Sequence, residues 1–351
     1  MSKPSPPLSD TARSLVAPAK GILAADESTG TIEKRLRAIQ VASTEDTRRA
    51  YRETLFTTPG LGEHISGVIL FDETLRQSGS GGTPLVEVLT SQGILTGIKV
   101  DRGAKALAGH DGEKVTEGLD GLRERLHEYA GLGARFTKWR AVITLGAGRP
   151  STACLHANAH ALARFAALSQ EQGLVPIVEP EVLMDGDHTI ETCMAATEAA
   201  LDAVFSQLFL HGIQLDGMLL KPSMVISGKD CAVQADVPTV ARETLRCMRD
   251  QVPASVPGLV FLSGGQSDIL ATRHLNEMNR QGGAPWELSF SYGRALQAPA
   301  LKAWGGKSEN QPAAQAALHH RARCNGAARS ASYTEAMESG GMPGVGSAQV
   351  T

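Results

Sequence analysis

The stretches ISGVILFDE (Ile65–Glu73), TPLVEVLTSQG (Thr83–Gly93) and ILTGIKVD (Ile94–Asp101) read as strand, helix, strand. Each strand is a short apolar run that ends in charged residues, and Gly93 closes the helix between them. Two strands joined by a helix pair in parallel through a right-handed crossover. The same unit recurs outward in both directions. GILAADES (Gly21–Ser28) precedes it. ARFTKWRAVI (Ala134–Ile143), LVPIVEPEV (Leu174–Val182), GMLLKPSMV (Gly217–Val225), GLVFLSGGQ (Gly258–Gln266) and WELSFSYGR (Trp286–Arg294) follow.

Helical spacing fills the gaps. It covers Ile32–Ile39, a second segment opened by Ser43 with Asp46 three residues on, and a face of Leu119, Leu122, Leu126 and Tyr129 closed by Gly131. Further helices run over Ser151–Gly173, Thr189–Leu210, Thr239–Arg249, from Ser267 to Asn279, and on to Trp304. Eight strand–helix units predict an α/β fold, a closed (β/α)8 TIM barrel built as a single domain. An open doubly wound sheet would favour a GxGxxG fingerprint after the first strand, and that motif is absent there. The barrel, with its N-terminal arm, is expected over residues 1–310. Residues 1–10 read as a flexible arm, and a short helix follows over Asp10–Val16. Residues 311–351 are expected to form a C-terminal helix, from Asn310 to about Met337, and a mobile tail, SGGMPGVGSAQVT.

At 351 residues with a net charge of −3 the chain can bury a large core and carries no basic or acidic block. Nucleic acid and anionic membranes are therefore not expected as partners. The five cysteines are odd in number and widely spaced, with no CxxC or metal-ligand spacing, which fits reduced thiols. The polar, proline-rich N-terminus lacks the apolar core of a signal peptide, and no uninterrupted apolar run reaches membrane-spanning length. A cytoplasmic protein is expected.

In a closed barrel the C-terminal strand ends converge on one mouth, where active sites lie. Those ends carry Asp26, Lys99, Lys138, Arg140, Glu179, Glu181, Lys221, Ser263, Gly264, Gly293 and Arg294. Lys221 is the lone charge of its apolar run, and Pro222 ends the ladder after it. A lysine buried among cations is expected to favour its neutral amine and to act as a nucleophile toward a carbonyl. The same cations attract an anionic substrate. Glu179 or Glu181 can shuttle protons, and Asp26 supplies a further carboxylate. A carbonyl substrate could form a Schiff base on Lys221, whose iminium accepts the electron pair of a broken carbon–carbon bond. Ser263-Gly264-Gly265 and Gly293-Arg294 follow the seventh and eighth strands, where this fold commonly binds phosphate. The ten histidines show no ligand spacing. His156 and His160 are four apart on a helix without an evident carboxylate partner, and Asp72 and Glu73 read as salt-bridge partners.

The motifs GILAADESTGTIEKRL, GIKVDRG, FTKWR, VEPEVL, LLKPSMV, FLSGGQS, FSYGRALQ and LKAWGGK, in this order from Lys20 to Lys307, closely resemble class I fructose-1,6-bisphosphate aldolase. The resemblance implies a homotetrameric glycolytic lyase that needs neither metal nor cofactor. It would reversibly cleave fructose 1,6-bisphosphate to dihydroxyacetone phosphate and glyceraldehyde 3-phosphate. It marks Lys221 as the Schiff-base lysine, Glu179 as main acid and base with Glu181 assisting, and Asp26 as the carboxylate at the cleaved bond. Lys138 and Arg140 would be electrostatic supports. Ser263, Gly264, Gly293 and Arg294 would hold one phosphate, and Ser28, Thr31, Arg35 and Lys99 would lie near the other. A preference for fructose 1-phosphate or another phosphorylated ketose is the rival enzyme reading. A catalytically silent scaffold is the rival from another class, disfavoured because Lys221, Glu179 and Asp26 are all present. Eukaryotic members typically end in a tyrosine that helps protonate the enamine. This chain ends in Thr351, and its last tyrosine is Tyr333, so either slower exchange of that proton or another group in its place is expected.

Overall fold

The structure is a computed structural model and describes residues 7–339. Strands β1 (Gly21–Ala25), β2 (Ile65–Leu70) and β3 (Leu95–Lys99) are followed by a hairpin of β4 (Ala104–Ala106) and β5 (Lys114–Thr116). The remaining strands are β6 (Phe136–Ile143), β7 (Val175–Val182), β8 (Leu219–Leu220), β9 (Gly258–Phe261) and β10 (Glu287–Tyr292). Apart from the hairpin they close into one parallel barrel, in the order β1-β10-β9-β8-β7-β6-β3-β2. All eight strands read from the sequence are in it. The hairpin was not foreseen, since three-residue strands carry too short a pattern to read.

The helices are α1 (Leu8–Leu15), α2 (Thr29–Ala38), α3 (Glu45–Phe56), α4 (Asp72–Arg76), α5 (Leu85–Thr90), α6 (Leu122–Gly131), α7 (Thr152–Glu171) and α8 (Ile190–Leu210). Then come α9 (Val237–Gln251), α10 (Asp268–Gln281), α11 (Arg294–Trp304), α12 (Gln311–Arg329) and α13 (Ala336–Ser339). Strand parity sorts side chains into two layers. Inside the barrel, Ile22, Ala24, Ile69, Phe136, Val175, Ile177, Leu219 and Val260 pack together with Leu15 and Ala12 of α1. Helix α1 thus plugs the N-terminal mouth. Outward residues such as Leu23, Trp139 and Val178 pack against the helices, and Trp139 stacks on Phe165 of α7 at 5.7 Å between centroids. Gly97 lets the Phe136 ring fill the barrel floor, because a Cβ there would lie 2.2 Å from the ring. The inward parity that begins at Phe136 continues through Lys138 and Arg140, which delivers charge to the open end.

Several local expectations are corrected. The cap of α3 is Thr44, not Ser43: Thr47 N–H donates to Thr44 Oγ1 and Thr44 N–H to Thr47 Oγ1. Leu119 lies before α6, which starts after Gly121, and α6 includes Gly131. Part of the supposed N-terminal arm, Leu8–Asp10, is helical; residues 1–6 lie outside the described residues. The C-terminal helix stops at Arg329 rather than near Met337. There Arg329 donates to the carbonyls of Ala17, Val16 and Leu288 and pairs with Glu287, and Ala331 takes φ 54°. Tertiary bonds at the barrel floor end what local propensity would continue. The tail from residue 340, including Thr351, lies outside the described residues.

Helix α8 alone among the described helices is long and apolar enough to cross a membrane, with a mean hydropathy of 1.3, although Glu191, Glu198 and Asp202 interrupt it. It packs against α7, α9 and β7, and 56% of its most apolar stretch is buried, as in a core helix. All five cysteines are free, and Cys154 and Cys193 are core residues.

Candidate active site

A cavity of about 1160 Å³ opens at the C-terminal ends of the strands. All fourteen residues singled out from the sequence line it: Asp26, Ser28, Thr31, Arg35, Lys99, Lys138, Arg140, Glu179, Glu181, Lys221, Ser263, Gly264, Gly293 and Arg294.

Lys221 follows the two-residue β8. Its N–H still donates to Val178 O at 2.8 Å, and Pro222 then ends the ladder while its carbonyl accepts from Leu262 N–H. The residue is 4% exposed, and its Nζ lies 3.1 Å from Glu179 Oε1. The other oxygen of Glu179 lies 3.3 Å from Lys138 Nζ, and Lys138 also reaches Asp26 Oδ2 at 2.6 Å. Glu179 therefore bridges two ammonium groups, and Lys138 bridges two carboxylates. The cations and carboxylates read from the sequence thus alternate in sign within one buried quartet, because an uncompensated buried charge is costly.

Burial by itself would raise the Asp26 carboxyl. Lys138 and then Lys221 override it and hold the group well below the usual carboxylate range. Glu179 behaves alike: burial raises it, and Lys138, Lys221 and Arg140 together bring it below its ordinary value. For Lys138 burial works against the charge, but Asp26, Glu179 and Asp101 raise it, so the ammonium persists. The resting site thus holds two ionised carboxylates ready to accept protons.

Around this quartet, Arg140 pairs with Glu181. Lys99 pairs with Asp101, whose carboxylate also accepts from Gly103 N–H at 3.1 Å and Arg140 N–H at 3.2 Å. Arg35 pairs with Glu27, which is 8% exposed and also meets Arg52 at 2.5 Å and Gln297 Nε2 at 2.8 Å. Ser28 and Thr31 hydroxyls face each other at 3.2 Å at the start of α2. On the other side Ser263, Gly264 and Gly265 turn, with positive φ of 56° and 86° at the glycines and Gln266 N–H returning to Ser263 O. Arg294, first residue of α11, approaches Gly265 and has no ion-pair or hydrogen-bond partner among the described residues. A turn of glycines, a helix N-terminus and an unpaired guanidinium suit a phosphate.

Sequence reasoning did not assign Glu27 or Asp101 to the site. Each lies just after a strand end, and the signal was the need of every buried cation for a carboxylate. Asp72 and Glu73 are salt-bridge partners as expected, of Arg76 and Arg48. Tyr333 lies away from the mouth and donates to Glu338 at 2.8 Å.

The sequence profile described as fructose-bisphosphate aldolase class-I matches residues 7–344. A probable class 1 fructose-bisphosphate aldolase of Xanthomonas campestris is 58% identical over 322 residues, covering 92% of this chain and 96% of that protein. A protein of Arabidopsis thaliana named fructose-bisphosphate aldolase 6, cytosolic, is 54% identical over 317 residues, covering 90% and 88%. A solved fructose-bisphosphate aldolase from Plasmodium falciparum, in complex with TRAP and a small-molecule inhibitor, superposes with a TM-score of 0.92 at 48% identity, covering 93% of this chain and 95% of that one.

Proposed function

The chain belongs to the class I fructose-bisphosphate aldolase family, and from that premise we propose that it works through a Schiff base on Lys221, with Glu179 moving the protons. It is a lyase that cleaves fructose 1,6-bisphosphate to dihydroxyacetone phosphate and glyceraldehyde 3-phosphate, and runs the reverse condensation. The observation that carries the proposed route is Glu179, with one oxygen toward each of two buried lysines and Asp26 beyond.

The steps follow from that arrangement. Glu179 takes a proton from the Lys221 ammonium, and the free amine adds to the ketose carbonyl. The carbinolamine hydroxyl, protonated by Glu179, leaves as water, and an iminium forms. The iminium carries the charge the ammonium had, so the quartet stays neutral and pays no new desolvation. Asp26, kept ionised by Lys138, removes the proton of the hydroxyl on the far side of the breaking bond. The carbon–carbon electron pair moves into the iminium, the aldehyde departs, and an enamine remains. The proton taken up by Asp26 is returned within the charged quartet to the enamine carbon, and addition of water to the iminium, with Glu179 moving its protons, releases the second triose phosphate and restores Lys221, Glu179 and Asp26. Arg140 and Glu181 hold one another beside Glu179. Arg294, Ser263, Gly264 and Gly293 take one phosphate, and Ser28, Thr31, Arg35 and Lys99 lie toward the other. Anion-binding groups at two sides of the cavity favour a bisphosphate over fructose 1-phosphate, and relative rates on the two sugars test that preference.

Borohydride reduction in the presence of dihydroxyacetone phosphate, followed by peptide mass mapping, tests the covalent step. Label on the peptide containing Lys221, lost in Lys221→Met, is expected. An active enzyme that takes no label there would overturn the proposal. We also infer a cytoplasmic homotetramer with the catalytic unit over residues 1–310 and an appended helix and tail over 311–351. The cytosolic naming of plant relatives and the exposed Phe209, Leu210 and Val233 support the location and the assembly respectively. Sedimentation of the intact chain tests the latter.

A further inference from the structure

Away from the active site, the short turn before β2 meets α12, and three side chains with metal-ligating atoms converge there: Glu63, His64 and His319. We infer that Glu63, His64 and His319 form a binding site for a divalent transition metal of the zinc class, which clips the C-terminal helix to the barrel.

One ligand atom from each of the three lies within 4.8 Å of the others. Two atoms bound to one tetrahedral zinc stand about 3.3 Å apart, so a side-chain adjustment of about 1 Å closes the set. Glu63 is exposed and free to make it. Gly60, at φ 73°, borders this corner: a Cβ there would lie 3.2 Å from His319 Nε2 and 3.4 Å from Glu63 Oε1. His64 stands edge-on to His319, with centroids 5.4 Å apart. Among the described residues, none of the three side chains has a hydrogen-bond or ion-pair partner, so their lone pairs are uncommitted. Two imidazoles and one carboxylate, with a fourth position left to water, match the preferences of zinc. A surface cavity of about 450 Å³ is lined by His319 together with Gln315 and Arg323.

Two other groups of potential ligands are less suited. In His320, Cys324 and Glu338 the carboxylate is already taken by Arg321 at 2.7 and 2.6 Å and by Tyr333. In the His160 and His211 pair each Nδ1 is engaged by Gln207.

The test uses the full chain, stripped with a chelator and titrated with zinc ion by calorimetry, with thermal melts in parallel. Cobalt ion serves as an absorbing substitute. One equivalent per chain, a raised melting temperature and a low-coordinate cobalt spectrum are expected. His319→Gln and Glu63→Gln should weaken zinc binding more than about tenfold and abolish the thermal shift. Glu63 is a surface residue, so its variant reads out the site even if His319→Gln folds poorly. Cys324→Ser and Lys221→Met should bind zinc as the unmodified chain does. Tight zinc retained in Glu63→Gln, zinc lost in Cys324→Ser or Lys221→Met, or no uptake by the unmodified chain would each overturn the inference.

Discussion

Replacing Lys138 by methionine removes one positive charge from a buried quartet that is otherwise neutral. At an effective dielectric of about 20, the pair at 2.6 Å with Asp26 is worth about 6 kcal/mol and the pair at 3.3 Å with Glu179 about 5 kcal/mol before desolvation. Each pKa unit corresponds to about 1.4 kcal/mol, so several units of preference for the ionised carboxylates disappear. Lys221 alone then faces two carboxylates, and burial drives that pair to share a proton. In the unmodified chain both carboxyls are depressed. The stability their ionised forms give is present above the ordinary carboxylate range and is lost only as pH falls through the lowered folded values. Their protonation therefore contributes no acid limb to kcat/KM above about pH 5. In Lys138→Met such a limb should appear, because Asp26 and Glu179 must be ionised to accept protons. The uncompensated charge should cost about 3 to 5 kcal/mol of stability. With an unfolding entropy of about 2.1 cal/mol/K per residue, that lowers Tm by roughly 5 °C. The assay is a pH series of kcat/KM with a melt at each pH. A variant with a flat profile from pH 5 to 8 and an unchanged Tm would refute the assignment of Lys138 as the charge that holds both carboxylates ionised.

Three further outcomes are expected. His274 is 3% exposed with Nδ1 2.5 Å from Gln266 Oε1, and burial, with Arg273, pushes it down to about 4. The unfolded chain takes up that proton near pH 6.5, so stability should fall by up to about 3 kcal/mol between pH 6.5 and 4. His274→Gln should flatten that slope in urea titrations at the two pH values. Gly97→Ala should destabilise by about 1 to 3 kcal/mol, because its Cβ would sit 2.2 Å from the Phe136 ring. Adding Phe136→Leu should recover part of the loss, and additive losses in chemical denaturation would discredit the contact. Arg294→Ala should raise KM for the bisphosphate about tenfold to a hundredfold, with a smaller effect on kcat, as expected for losing a charge-assisted contact. Steady-state rates on fructose 1,6-bisphosphate decide it.

The sequence by itself determined the barrel, because apolar runs of strand length alternate with helical periodicity eight times over. Strand order in a (β/α)8 fold leaves little choice once that alternation is set. It also determined which charged residues reach the mouth, since a charge such as Lys221 or Glu179 within an apolar strand run finds counter-charges only where the strand ends converge. It did not determine how those charges pair. Asp26, Lys138, Glu179 and Lys221 come from four strands, and only closure of the barrel shows that Glu179 is shared between two lysines. The end of α12 at Arg329 was likewise beyond local reading, because its cause is a set of carbonyls at residues 16, 17 and 288. The meeting of His64 with His319 is of the same kind. Periodicity reports what each segment buries, whereas a contact between distant segments depends on where the closed fold brings them.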